Sequence, residues 1–78
     1  MTQNEFIETV DAGNDVMFEC LGKKFAIVMT ESGVDIAEQE TCENRMVFED
    51  AQRLLDNYKI AGKPLTSVLP QCHFTFIS

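Results

Sequence analysis

Asp15-Val16-Met17-Phe18-Glu19-Cys20-Leu21-Gly22-Lys23-Lys24-Phe25-Ala26-Ile27-Val28-Met29-Thr30 consists of two alternating runs on either side of a glycine. In a strand, successive side chains point to opposite faces. Val16, Phe18 and Cys20 therefore share one face of the first run, and Phe25, Ile27 and Met29 share one face of the second. A two-residue turn at Leu21-Gly22 or Gly22-Lys23 joins the runs, with glycine supplying the positive φ that tight hairpins need. Either choice brings the two apolar sets onto the same side of the sheet. A slip by one residue sets Phe18 against Ala26 and divides the core between two faces, so the hydrophobic pattern fixes which faces meet.

Toward the C-terminus, Glu31-Ser32-Gly33 reads as a second turn into a third strand, Val34 to Ala37. A turn centred on Ser32-Gly33 pairs Met29 with Ile36 and keeps the apolar face continuous. Past Ala37 the alternation fails, because Glu38 and Glu40 would fall on that face, so residues 39–44 read as an exposed loop or a frayed, twisted extension of the strand. Met46-Val47-Phe48 is a fourth strand near 45–48, or the lead-in to a helix. The main helix spans 50–58: Ala51, Leu54, Leu55 and Tyr58 recur at the spacing of one buried helical face, with Asp50 as N-cap. Ala61-Gly62-Lys63-Pro64 breaks the chain. Pro64 opens a brief helix through Leu65, Val68 and Leu69, and Pro70 ends it. The tail alternates again through Phe74 and Phe76, which predicts a closing strand at 72–77.

Toward the N-terminus, Thr2 and Glu5 form a capping-box pair at the start of a short helix to about Ala12. Phe6, Ile7 and Val10 make a narrow apolar stripe, and Gly13 is the left-handed residue that ends the helix. The expectation is one α+β domain over residues 1–78. It has a small antiparallel sheet of three to five strands, a short N-terminal helix and one main helix.

The stretch Val16 to Ile27, with a helix like Phe48–Asn57 and a segment like Ile60-Ala61-Gly62-Lys63-Pro64-Leu65, resembles a pattern in short uncharacterised proteins of Gram-positive bacteria and their mobile elements. The resemblance covers about two-thirds of the chain and implies a compact sheet with a helix against one face. It brings no activity, cofactor or functional residue with it. The tail after Pro70 departs from the pattern.

Charge is the most distinctive compositional feature. Residues 1–44 hold ten acids and two lysines, while residues 45–78 hold three acids and four basic residues, for a net charge of −7. Glu31, Asp35, Glu38, Glu40 and Glu43 lie in a stretch without a single basic side chain. A field of this sign repels nucleic-acid phosphate and anionic membrane surfaces. These five acids are the candidate partner-binding residues, suited to a basic protein surface. The plain alternative is a solvated face that keeps a small domain soluble.

Other chemistry finds little footing in the residues. Glu38, Glu40 and Glu43 supply hard oxygen ligands but lack the order of an EF-hand loop. Cys20, Cys42 and Cys72 are an odd set at wide spacings, which reads as free thiols in a reducing compartment, packed as small hydrophobes. Cys72 and His73 are adjacent, so on a strand they point apart and cannot act as nucleophile and base. The three cysteines and His73 fit no familiar zinc spacing. Gly22-Lys23-Lys24 and Gly62-Lys63-Pro64 lack the glycine-rich lead-in of a phosphate loop. The longest apolar run, Phe25 to Met29, is far too short to span a bilayer, and nothing basic or strongly apolar follows Met1 as in a secretory leader.

The sequence thus points to a noncatalytic interaction or accessory module of the cytoplasm, with no cofactor and no metal. The alternatives are a homodimer joined through the edge of the closing strand, and an enzyme using Cys20, Cys42 or His73.

Overall fold

The computed structural model describes residues 1–78 as a five-stranded antiparallel sheet with helices packed against one face. The elements in chain order are α1 (Gln3–Asp11), β1 (Val16–Cys20), β2 (Lys23–Thr30), β3 (Gly33–Glu38), β4 (Met46–Phe48) and α2 (Ala51–Asn57). A two-residue ladder of β5 (Lys59–Ile60) and β6 (Lys63–Pro64) follows. Next come α3 (Leu65–Val68), a 3-10 turn (Leu69–Gln71) and β7 (His73–Ile77). Strand order is β4-β3-β2-β1-β7. The first four strands form a meander. The chain then crosses the covered face through α2 and α3, and β7 returns beside β1.

The hairpin takes the first of the two turns and keeps both apolar sets on one face. Phe18 pairs with Phe25 and Val16 with Ile27 around a Leu21-Gly22 turn. Both turn residues have positive φ, 51° and 82°, the pattern of a type I′ turn, so Leu21 takes a conformation that side chains with a Cβ disfavour. The capping box is also as read: Thr2 Oγ1 accepts the Glu5 N–H at 3.1 Å, and Glu5 Oε1 accepts the Thr2 N–H at 2.9 Å. Those bonds hold the Glu5 carboxyl below its usual value.

The β2–β3 register differs from the expectation. The turn is at Glu31-Ser32, so Met29 pairs with Val34 and Ile27 with Ile36. The shift is two residues, which preserves the faces but leaves Met29 past the end of the core, 36% exposed. Gly33 is needed at its position because a Cβ there would overlap the Phe48 carbonyl of β4. The third strand also runs one residue further than read, through Glu38, which pairs with Phe25. Pro64 precedes α3 as its N-cap, one place before the first turn, and Pro70 sits inside the 3-10 turn without ending the helical segment at once. The β5–β6 ladder was not legible, being too short to alternate.

The core is one contiguous cluster. Phe6 and Val10 of α1, with Ala51, Leu54 and Leu55 of α2, cover Val16, Phe18, Phe25, Ile27, Val34 and Ile36 of the sheet. Phe18 stacks on Phe25 at 5.2 Å between ring centroids and meets Phe74 of β7 at 5.4 Å. Tyr58 closes one end, edge-on to Phe25 and Phe48. Its hydroxyl donates to the Asn44 carbonyl at 3.0 Å. No helix is long and apolar enough to cross a membrane.

Candidate interaction surface

The five candidate acids do not act alike. Asp35 lies on the face of β3 away from the helices, where its Oδ2 accepts two bonds from Arg45, at 2.6 Å from Nη2 and 2.8 Å from Nε. That pairing raises the Arg45 pKa, first through the hydrogen bond and then through charge attraction. Glu38 is turned inward at the end of β3, accepting from the Asn44 amide and lying 4.0 Å from the Lys23 ammonium. Glu31, in the β2–β3 turn, and Glu40 and Glu43, in the loop before β4, are exposed and make no ion pair. That loop is a closed structure. The Cys42 N–H bonds to the Glu38 carbonyl and the Glu38 N–H to the Glu43 carbonyl, each at 3.0 Å. No cluster of three His, Cys, Asp or Glu side chains in the fold could hold a metal ion.

A polar hollow of about 220 Å³ opens beside the hairpin turn, lined by Gly22, Lys23, Lys24, Glu38, Glu40 and Thr41. Two lysines and two glutamates share it, so it offers neither sign of ligand a consistent field.

The opposite face of the sheet is the larger feature. The helices cover only one side, and the alternation that buries Val16, Phe18, Phe25 and Ile27 turns Met17, Ala26 and Val28 outward. Phe76 pairs with Met17, Met17 with Ala26, and Ala26 with Ala37, so four adjacent strands lay one apolar row across the sheet. Val28 and Val47 flank Asp35 in the next row. Met17, Val28, Val47 and Phe76 are each 38–47% exposed. Antiparallel sheets often leave one face to solvent, but that face is then usually polar. An open groove of about 350 Å³ runs over the small end of the row, with Ala26, Val28, Ala37 and Arg45 in its lining. Five charged side chains border the face. Asp15, Glu19 and Asp35 stand with Lys24 and Arg45, so it carries one net negative charge of the chain's seven.

The signal for this surface lay in the sequence at the outward positions of the hairpin. Met17, Ala26 and Val28 are apolar where a solvated face would carry polar residues. The part supplied by Phe76, Ala37 and Val47 depends on register and strand order.

Cys72 is the extended residue just before β7, which starts one place later than read: His73 pairs with Glu19, while the Cys72 thiol turns inward to the Val68 carbonyl at 3.5 Å. The expectation that all three thiols pack as small hydrophobes is corrected for Cys42. It is exposed on the β3–β4 loop at φ 57°, and only Cys20 is fully buried. Comparison with protein-family models, with curated proteins and with solved structures gave no match.

Proposed function

We propose that the chain is a noncatalytic protein-interaction module that works through the uncovered face of its sheet, and that the occupant of that face is a second copy of the chain. The observation that carries this reading is the graded row Phe76–Met17–Ala26–Ala37. Bulk sits at one end and methyl groups at the other. A two-fold axis through the middle of the row sets Phe76 and Met17 of one copy over Ala37 and Ala26 of its partner, the self-complementary arrangement an isologous interface requires. The ring of Phe76 then fills the groove over Ala26 and Ala37. Charge favours the same face. Two chains of net charge −7 repel each other, and most of that charge lies off this face.

Sedimentation of the full chain over a range of concentration tests the reading, with a reversible monomer–dimer equilibrium expected. Phe76→Glu and Ala37→Arg, at exposed or half-buried positions, shift it to monomer. Leu21→Ser, which removes an equally exposed apolar side chain elsewhere, leaves it unchanged. A chain that sediments as monomer at every concentration, or a dimer that survives both face variants, overturns the proposal. Added salt tightens the dimer by screening its self-repulsion.

A second reading rests on Glu31, Glu40 and Glu43, which are exposed and unpaired. Docking of these acids on a basic protein has the opposite salt dependence, weakening as salt rises, and is lost when all three become Lys.

A further inference from the structure

Cys20 and Cys72 are 52 positions apart in sequence, yet their thiols share one acceptor. Cys20 Sγ lies 3.9 Å and Cys72 Sγ 3.5 Å from the Val68 carbonyl oxygen. The strands explain the meeting. Glu19 pairs with His73 at the end of the β1–β7 ladder, and continuing that register one step, onto the extended residue before β7, sets Cys20 against Cys72. Opposed residues of an antiparallel pair have Cα atoms roughly 4.5–5.5 Å apart, inside the span a disulfide bridges. Burial first, and the neighbouring Cys20 thiol second, push the Cys72 thiol up to about 12.

We propose that Cys20 and Cys72 are a disulfide-forming pair, closed by exchange with a low-molecular-weight disulfide and reopened by thiols. The half-buried Cys72 meets the reagent first. Its thiolate attacks one sulfur of oxidised glutathione, forming a mixed disulfide, and the displaced glutathione thiolate takes up the proton Cys72 has lost. Cys20, fully buried beside it, then gives up its proton and attacks the Cys72 sulfur. The protein S–S bond forms, and the second glutathione leaves with the electron pair and takes that proton. Two protein thiols are oxidised and one glutathione disulfide is reduced to two thiols, with no other co-reactant. Because a thiolate is the attacking species, the high pKa of Cys72 makes closure slow at neutral pH and faster as pH rises. The bond would staple the edge strand β7, which carries Phe76, to β1. Cys42 is exposed on the β3–β4 loop, outside this ladder.

The test treats the folded full-length chain with oxidised glutathione at mildly alkaline pH and maps its peptides without reduction. The expected product has lost two hydrogens, links the Cys20 and Cys72 peptides, and leaves Cys42 as the one thiol that iodoacetamide labels. Its thermal midpoint rises, and dithiothreitol restores the original value. Cys42→Ser behaves as the parent chain, and Cys72→Ser does not cyclise. A glutathione adduct on Cys72 that never resolves, a bond made by Cys42, or three thiols still free after prolonged alkaline treatment overturns the proposal.

Discussion

The Asp11 carboxylate, at the end of α1, accepts the backbone N–H of Ala51, at the start of α2, at 3.1 Å. A helix leaves its first four N–H groups without internal partners, and side-chain oxygens normally meet that need from the adjacent residue. Here Asp50 does so for Arg53 at 2.9 Å, while Asp11, forty positions away, takes the Ala51 amide. The bond also ties α1 to α2 over the sheet. Asp11→Ala therefore lowers stability by about 1 kcal/mol, the usual cost of losing a cap. Asp11→Asn, which keeps an acceptor oxygen, loses less. Urea denaturation of the two variants measures the difference, and equal midpoints for Asp11→Ala and the parent chain would show the bond to be idle.

Leu21 occupies a left-handed conformation at φ 51° in the hairpin turn, with 48% of its surface exposed. A Cβ at that φ crowds the following carbonyl, at roughly 1–2 kcal/mol, whereas asparagine tolerates the region and Asn-Gly is the favoured type I′ pair. Leu21→Asn is expected to raise stability by about 1 kcal/mol, read as a higher urea midpoint with unchanged slope. A lower midpoint would mean that Leu21 packs against something the turn geometry does not reveal.

The parts of this fold that were legible in the sequence are those where local pattern and tertiary packing agree. Alternation across Gly22 left the turn open between Leu21-Gly22 and Gly22-Lys23 but determined which face of the first hairpin is buried. The spacing of Ala51, Leu54 and Leu55 did the same for α2. The same two-residue freedom applies between β2 and β3, where hydrophobic pattern could not choose between Met29–Val34 and Met29–Ile36 pairing. The choice is made by Gly33, which must pass close to the Phe48 carbonyl of a strand that comes later. The acidic stretch misled in another way. Asp35 and Glu38 look free in sequence because their partners, Arg45 and Lys23, lie ten and fifteen positions away. The cysteine pair and the Phe76–Ala37 row depend on β7 returning beside β1, a long-range choice that no local pattern encodes.

Two glycines separate conformational cost from steric cost. Gly22 has φ +82° and open space around a hypothetical Cβ, whereas at Gly33, φ +129°, the Cβ would overlap the Phe48 backbone. Gly22→Ala should cost about 1 kcal/mol, the penalty of the left-handed conformation alone. Gly33→Ala should cost about 2 kcal/mol or more, because β4 must move away. Hydrogen exchange at Val47 and Phe48 rises in Gly33→Ala and stays at the parent rate in Gly22→Ala. Equal losses in the two variants would place the whole effect in the turn conformation.

The Cys72 thiol, pushed up to about 12 from an ordinary 9.0, makes stability depend on alkaline pH. Tyr58 adds to this: burial first, and the nearby Glu38 carboxylate second, raise it above its ordinary 10.0. In the unfolded chain both groups release their protons near their ordinary values. Between about pH 9 and 12 the folded chain therefore holds more protons than the unfolded one, and stability falls as pH rises. Below about pH 9 both groups are protonated in both states, and their contribution is present in full. The urea midpoint of the reduced chain should thus show no loss from these groups up to about pH 9 and decline beyond it. Cys72→Ser removes the earlier part of that decline, and Tyr58→Phe the later part, although Tyr58→Phe also gives up the bond to Asn44. Iodoacetamide labelling reads the same group directly: Cys72 reacts slowly at neutral pH and about tenfold faster per pH unit until its thiolate predominates. A midpoint that holds level through the alkaline range, or a Cys72 that alkylates readily at neutral pH, would show that the thiol is not held in its protonated form by its surroundings.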